Sequence, residues 1–160
     1  MVAQVLNRDL ANLVEAAIVN TNGLATAGGA GNNVARTGLT IDRNAYGVAL
    51  GAMVAIAYTA VLGATNTLTI RQCQVEHSPD GSAWSVLRTF PDPGVVATGP
   101  AGGGTVNSAV LIQLDLKSAN RYVRFDYTPQ LSAASVDTCN SMPVAILHGH
   151  DRYPPPSSAV

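Results

Sequence analysis

The chain has 160 residues, 47% hydrophobic and only 12% charged, with nine basic and ten acidic side chains and a formal charge of −1. This balance excludes a disordered tail, a coiled coil and a polybasic arm, and it offers no electrostatic footprint for nucleic acid or an anionic membrane. The length suits one domain with a sizeable core, and eight of the nine basic residues are Arg, a bias that favours planar interface contacts over solubility.

The opening MVAQVLNRDL carries Arg8 and Asp9 where a secretory leader would be apolar, so no cleaved signal is expected. Leu6, Leu10, Leu13, Val14 and Ala17 recur at helical spacing, and Asn20 to Gly23 reads as a helix stop. Leu24 to Thr40, rich in Gly, Ala, Asn and Thr, reads as an irregular linker. A lone amphipathic helix cannot bury its own stripe, so this arm packs either on its own domain or on a neighbouring subunit.

No residue between Arg43 and Arg71 is charged, a stretch long enough to cross a bilayer as a helix. Its periodicity argues for a strand instead. Tyr46, Val48, Leu50, Ala52, Val54, Ile56 and Tyr58 alternate with small residues, the pattern of a strand with a layer close on its other side. No membrane partner is expected.

Residues 66–90 read as a hairpin closed by Ser78-Pro79-Asp80-Gly81, where proline presets the turn and glycine supplies positive φ. The apolar phase changes between Ile70 and Cys73, which predicts a bulge. Trp84 is in phase with Val86 on the return strand, an alternation that places it in the core. A long loop is expected from Pro91 to Asn107, then a strand over Val110–Leu116. Arg121–Thr128 forms another, with Val123, Phe125 and Tyr127 inward and Tyr122, Arg124 and Asp126 outward. Met142–Leu147 is the last strand, followed by an extended proline tail from Tyr153. Six or more strands with little helix predict an all-β antiparallel β-sandwich or jelly roll with an N-terminal helical or extended arm. The expected organisation is arm and linker over 1–37, sandwich over 38–153 and tail over 154–160.

Candidate chemistry is sparse. Gly99 to Thr105 echoes a phosphate loop, but it has no lysine and no following helix. His148, His150 and Asp151, with Glu76 and His77 on another strand, are the one metal-like grouping, and they fall short of a full ligand set. No nucleophile elbow or paired acid stands out, so neither catalysis nor a cofactor is expected. Cys73 and Cys139 make no disulfide framework, and whether they pair is left open.

The runs GLTIDRNAYGVALGAMVAIAY, TLTIRQCQVEHSPDGSAWSVL, RYVRFDYTPQL and PVAILHGHDRYP resemble a family encoded in the head genes of tailed bacteriophages. The resemblance rests on Ile41-Asp42 with Tyr46, Asp80-Gly81-Ser82, Arg121-Tyr122-Val123-Arg124 and Arg152-Tyr153-Pro154. It implies a small virion protein, a capsid decoration or cement protein made in the host cytoplasm. Its partners would be the major capsid protein and itself, as a dimer or trimer. HSPDGSAW and RYVRFDYT also resemble galactose-binding, discoidin-type jelly rolls, which implies a glycan partner with Trp84, Tyr122 and Tyr127 as stacking candidates; a head-fibre or tail-associated subunit is a further alternative. On the cement reading, contacts to the capsid or between subunits are expected from Leu6, Leu10, Leu13, Val14, Ile18, Pro93, Val95, Val96, Arg152 and Tyr153.

Overall fold

The computed structural model describes residues 14–21, 23–132 and 136–151. Ten strands follow in chain order: β1 (Val14–Ile18), β2 (Gly23–Thr26), β3 (Ile41–Asp42), β4 (Ala49–Leu62), β5 (Thr67–Ser78), β6 (Ser85–Thr89), β7 (Gly94–Thr98), β8 (Gly104–Asp115), β9 (Tyr122–Leu131) and β10 (Thr138–His150). A short 3-10 turn, Arg43–Tyr46, links β3 to β4. One antiparallel sheet has the order β1-β10-β4-β8, with β2 continuing the β1 edge along β10. The other runs β3-β9-β5-β6, with β7 pairing further along β5. If β1 with β2 and β6 with β7 are each taken as one edge, the two sheets interleave in chain order as a jelly roll.

The core lies between the sheets. Ala52, Val54, Ile56 and Tyr58 on β4 face Ile70, Cys73 and Val75 on β5 and Val123, Phe125 and Tyr127 on β9, all buried. The phases expected for β4 and β9 therefore hold, and the charge-free segment is a strand. Among the described residues no helix is long and apolar enough to cross a membrane. The β5 bulge falls where the phase changed: the register shifts between Arg71 and Gln74, and Gln72 takes φ +52°. Gly81 sits at φ +78° in the hairpin turn.

Three expectations are corrected. Val14–Ile18 is a strand, because Val14, Ala16 and Ile18 alternate with Glu15, Ala17 and Val19, and the open edge of β10 pairs with this period-two pattern. Leu6, Leu10 and Leu13 lie outside the described residues. The linker contains β2, with Ala25 fully buried, and a bridge from Arg36 to Tyr127. The loop over 91–107 holds β7 and the start of β8. Pro91 and Pro93 interrupt the edge, but Gly94, Val95, Ala97 and Thr98 resume pairing with β5, with Val96 at a register shift.

Arg43 ties the 3-10 turn to the neighbouring elements. It is 4% exposed, donates from Nε (3.0 Å) and Nη2 (2.8 Å) to the Ala49 carbonyl, and donates from Nη1 to the carbonyls of Ala119 and Asn120.

Candidate interaction surface

The two sheets turn very different faces outward. In an antiparallel sheet directly paired residues share a face, so the pairing register reads off each surface row by row. On the β1-β10-β4-β8 sheet one outward row is Ile18, Val144, Ala55 and Leu111, and the next is Ala16, Ile146, Met53 and Gln113. A third carries Met142, Ala57 and Ala109. Polar residues gather at the two ends, with Val14, His148, Gly51 and Asp115 in one row and Leu24, Asn140, Thr59 and Asn107 near the other. Asp115 is the only acidic or basic side chain, histidine aside, in these paired rows. Ile18 (60%), Leu24 (61%) and Leu111 (61%) are exposed on this face, along with Met142, Val61 and Val14.

The other sheet is the reverse. Its outward pairs are Glu76 with Arg124, Gln74 with Asp126, Arg71 with Thr128 and Thr69 with Gln130. Arg124 donates to Glu76 Oε2 from Nε and Nη2 at 2.6 Å, and Gln74 Nε2 donates to Glu76 and Asp126. An open groove of about 500 Å³ crosses this face, lined by Gln72, Gln74, Glu76, Arg124, Asp126 and Thr128 among others. One face is therefore polar, with Asp126 and Thr128 buried in it and the remaining outward side chains half-buried, and the opposite one is a contiguous apolar surface of the kind that marks interaction sites.

The sequence accounts for the relief of the apolar face, part of which lines an open cavity of about 710 Å³ with Val14, Met53, Gln113, Ile146 and His148 among its walls. The face's outward β4 positions are Gly51, Met53, Ala55 and Ala57, mostly small, so the neighbouring strands' Val144, Ile146 and Leu111 stand clear of it. At Gly51 a Cβ would lie 2.5 Å from the His148 ring, so glycine lets that imidazole lie over the strand.

The expected contact residues divide. Val14 and Ile18 sit together on the apolar face. Pro93, Val95 and Val96 belong to the β6–β7 edge of the other sheet; Val95 is exposed (59%), while Val96 packs on the core and its carbonyl accepts a hydrogen bond from the Tyr58 hydroxyl at 2.6 Å. Arg152 and Tyr153, like the three leucines, lie outside the described residues. Leu24, Val61, Leu111 and Met142 were missed. Their alternation was legible strand by strand, but only the register shows that four strands turn their apolar outward positions to one side.

The metal-like residues are not brought together. His148 lies over Gly51, and His150 Nδ1 is 2.6 Å from the Tyr46 carbonyl oxygen. His77 is on the other sheet, where its Nδ1 accepts from the Asn120 amide, and Glu76 is held by Arg124. Among the described residues no cluster of three metal-ligating side chains occurs. The stacking candidates are also engaged. Tyr127 is in the core with its hydroxyl 2.9 Å from Ser141 Oγ, and the Arg121 guanidinium lies 4.8 Å from the Tyr122 ring centre. Trp84, expected inside, is half-buried on the outward side, its ring covered by the Arg124 guanidinium at 4.2 Å. Trp84 precedes β6 and so is not bound by the strand's alternation, and the guanidinium covers the indole face where it lies. Cys73 and Cys139 are free and fully buried, and burial pushes their thiols up to about 12 and about 11.

No family model and no curated protein matches the chain. Some solved structures are similar to it over most of its length. A structure of the infectious bursal disease virus Gx strain is 11% identical, with 90% of this chain and 34% of that one covered at a TM-score of 0.46. The PBSX exported protein XepA is 18% identical, with 91% and 39% covered at 0.42. A VP2 subviral particle of infectious bursal disease virus is 11% identical, with 88% and 33% covered at 0.44. The chain spans between 33% and 39% of the length of these chains.

Proposed function

We propose that this chain is a non-enzymatic structural subunit of a phage virion that docks its apolar sheet face on the outside of the head and braces the major capsid lattice. One observation carries the reading: the outward face of β1-β10-β4-β8 is apolar and free of charge across its centre. Such a surface is costly to leave in water, and each large aliphatic side chain it buries is worth about 1.5–3 kcal/mol. A brace needs contact area rather than a pocket. The head-gene resemblance of the strand motifs supports the lattice as partner over other apolar surfaces.

Co-sedimentation of the purified chain with empty heads of its own phage tests the proposal. Saturable binding at a fixed ratio to the major shell protein is expected, and the absence of binding overturns it. A glycan-binding module is the second reading, favoured by the polar groove over Gln72, Gln74 and Arg124. Against it, Trp84 and Tyr122 are already stacked under arginines, which leaves neither of these two rings free for a sugar face. Binding on a glycan array without binding to heads would select this second reading.

A further inference from the structure

We infer that β8 is a subunit interface, and that two copies join antiparallel through their β8 edges about a two-fold axis perpendicular to the sheet. The inference rests on the docking reading and adds its oligomeric unit. Natural sheets protect their edges with short strands, proline or charge. Three edges of this sandwich follow that rule. β1 and β2 are five and four residues long, with the chain leaving the sheet between them. β3 has two residues. β6 and β7 have five each, separated by Pro91-Asp92-Pro93.

The fourth edge breaks the rule. β8 is twelve residues long, pairs on one side with β4, and has no hydrogen-bonded strand on its other side among the described residues. From Gly104 to Leu114 it contains neither proline nor charge. Half of its backbone donors and acceptors therefore face outward along an unbroken ladder.

The occupant that fits is a second β8. An isologous contact must be self-complementary, and an uncharged strand meets its own copy without like-charge repulsion. Asp115 and Lys117 lie at the end of the strand, away from the centre of an antiparallel pair. A perpendicular two-fold also keeps both apolar faces on one side, fusing two sheets into one continuous surface. Four strands about 4.8 Å apart and about 35 Å long give a face of about 700 Å² per copy. That is slightly below the roughly 800 Å² per partner of a standard interface, and joining two copies doubles it.

Sedimentation equilibrium of the full chain tests the inference without any head preparation. A species of twice the 16.4 kDa chain mass is expected. Ala109→Lys and Ser108→Lys, both at exposed positions, should each yield a folded monomer with an unchanged circular dichroism spectrum and a melting temperature that no longer depends on protein concentration. Met142→Lys, on the apolar face but off β8, should leave the dimer intact. Oxidation of Ala109→Cys should give a covalent dimer, since the native thiols are buried. A monomeric wild type, or a dimer indifferent to both lysines, overturns the inference, as does a dimer lost only with Met142→Lys. A monomer that still sediments with heads removes the edge interface and leaves the docking reading standing, whereas a dimer that ignores heads does the reverse.

Discussion

Arg43 offers a quantitative test of how the turn before β4 is held. Its guanidinium is buried and spans the Ala49, Ala119 and Asn120 carbonyls, joining the start of β4 to the segment between β8 and β9. Burial lowers its pKa from the ordinary arginine value, and no carboxylate contacts it among the described residues, so its charge is compensated by backbone dipoles alone. Arg43→Met preserves most of the aliphatic stem and removes every donor. A hydrogen bond to a charged group is worth about 1.5–3 kcal/mol net, and a neutral one about 1. Water reaching the Asn120 end, where the contact is only part-buried, recovers some of the loss. The expected net cost is about 3 kcal/mol for the three carbonyls, or roughly 6–12 °C of melting temperature in a domain of this size. Arg71→Met is the control. Arg71 lies 4.0 Å from Asp92 and donates from Nη1 to Gln130 Oε1 at 2.7 Å, with its side chain 40% exposed, so its loss should cost about 1 kcal/mol. Thermal unfolding followed by circular dichroism reads both variants. A loss under about 1 kcal/mol for Arg43→Met would refute the reasoning, since three abandoned carbonyls cannot cost so little unless water satisfies them all.

Three further outcomes follow from the same geometry. Gly38→Ala drives a Cβ into the Phe125 carbonyl oxygen and to 2.8 Å from the Phe125 nitrogen, so it should destabilise by about 2–3 kcal/mol, read by denaturant midpoint. Asp42 is held below the ordinary carboxylate range chiefly by its hydrogen bond from Arg121, so its stabilising contribution is complete at neutral pH and is lost as pH falls through the lowered folded-state value. Asp42→Asn should therefore flatten the acid limb of the stability curve, and an unchanged acid limb counts against the ion pair. Cys73 and Cys139, buried and with thiol pKa values of about 12 and 11, should resist an aromatic disulfide reagent at pH 8 until the chain unfolds.

The alternation of Val54, Ile56 and Tyr58, and of Val123, Phe125 and Tyr127, was legible in the sequence because in each strand the large apolar side chains keep to a single phase and the strand is flanked by clear turns. The β5 bulge was legible as a phase slip beside Cys73. Val14–Ile18 was not, because leucines at helical spacing precede it and its strand character depends on the open edge of β10, which no local pattern encodes. β7 was hidden by Pro91, Pro93 and the glycines around it, although Val95 and Val96 carry the β propensity. Trp84 was misplaced because it precedes β6, so the strand's alternation does not assign its side, and Arg124 covers its ring where it lies. The apolar face was half legible. The small residues at Gly51, Ala55 and Ala57 signalled a close layer, but the sequence does not show that no element among the described residues supplies it.

The central claim is that the apolar sheet face meets the shell, and co-sedimentation of surface variants with heads tests it most directly. Ile18→Asp and Met142→Asp place charges at exposed positions on two neighbouring strands of that face, and Gln130→Lys changes the opposite, polar sheet. All three should fold with wild-type melting temperatures. The account predicts that both aspartate variants lose binding to heads while Gln130→Lys binds at the wild-type ratio. Wild-type binding by folded Ile18→Asp and Met142→Asp, or its loss with Gln130→Lys, would contradict it.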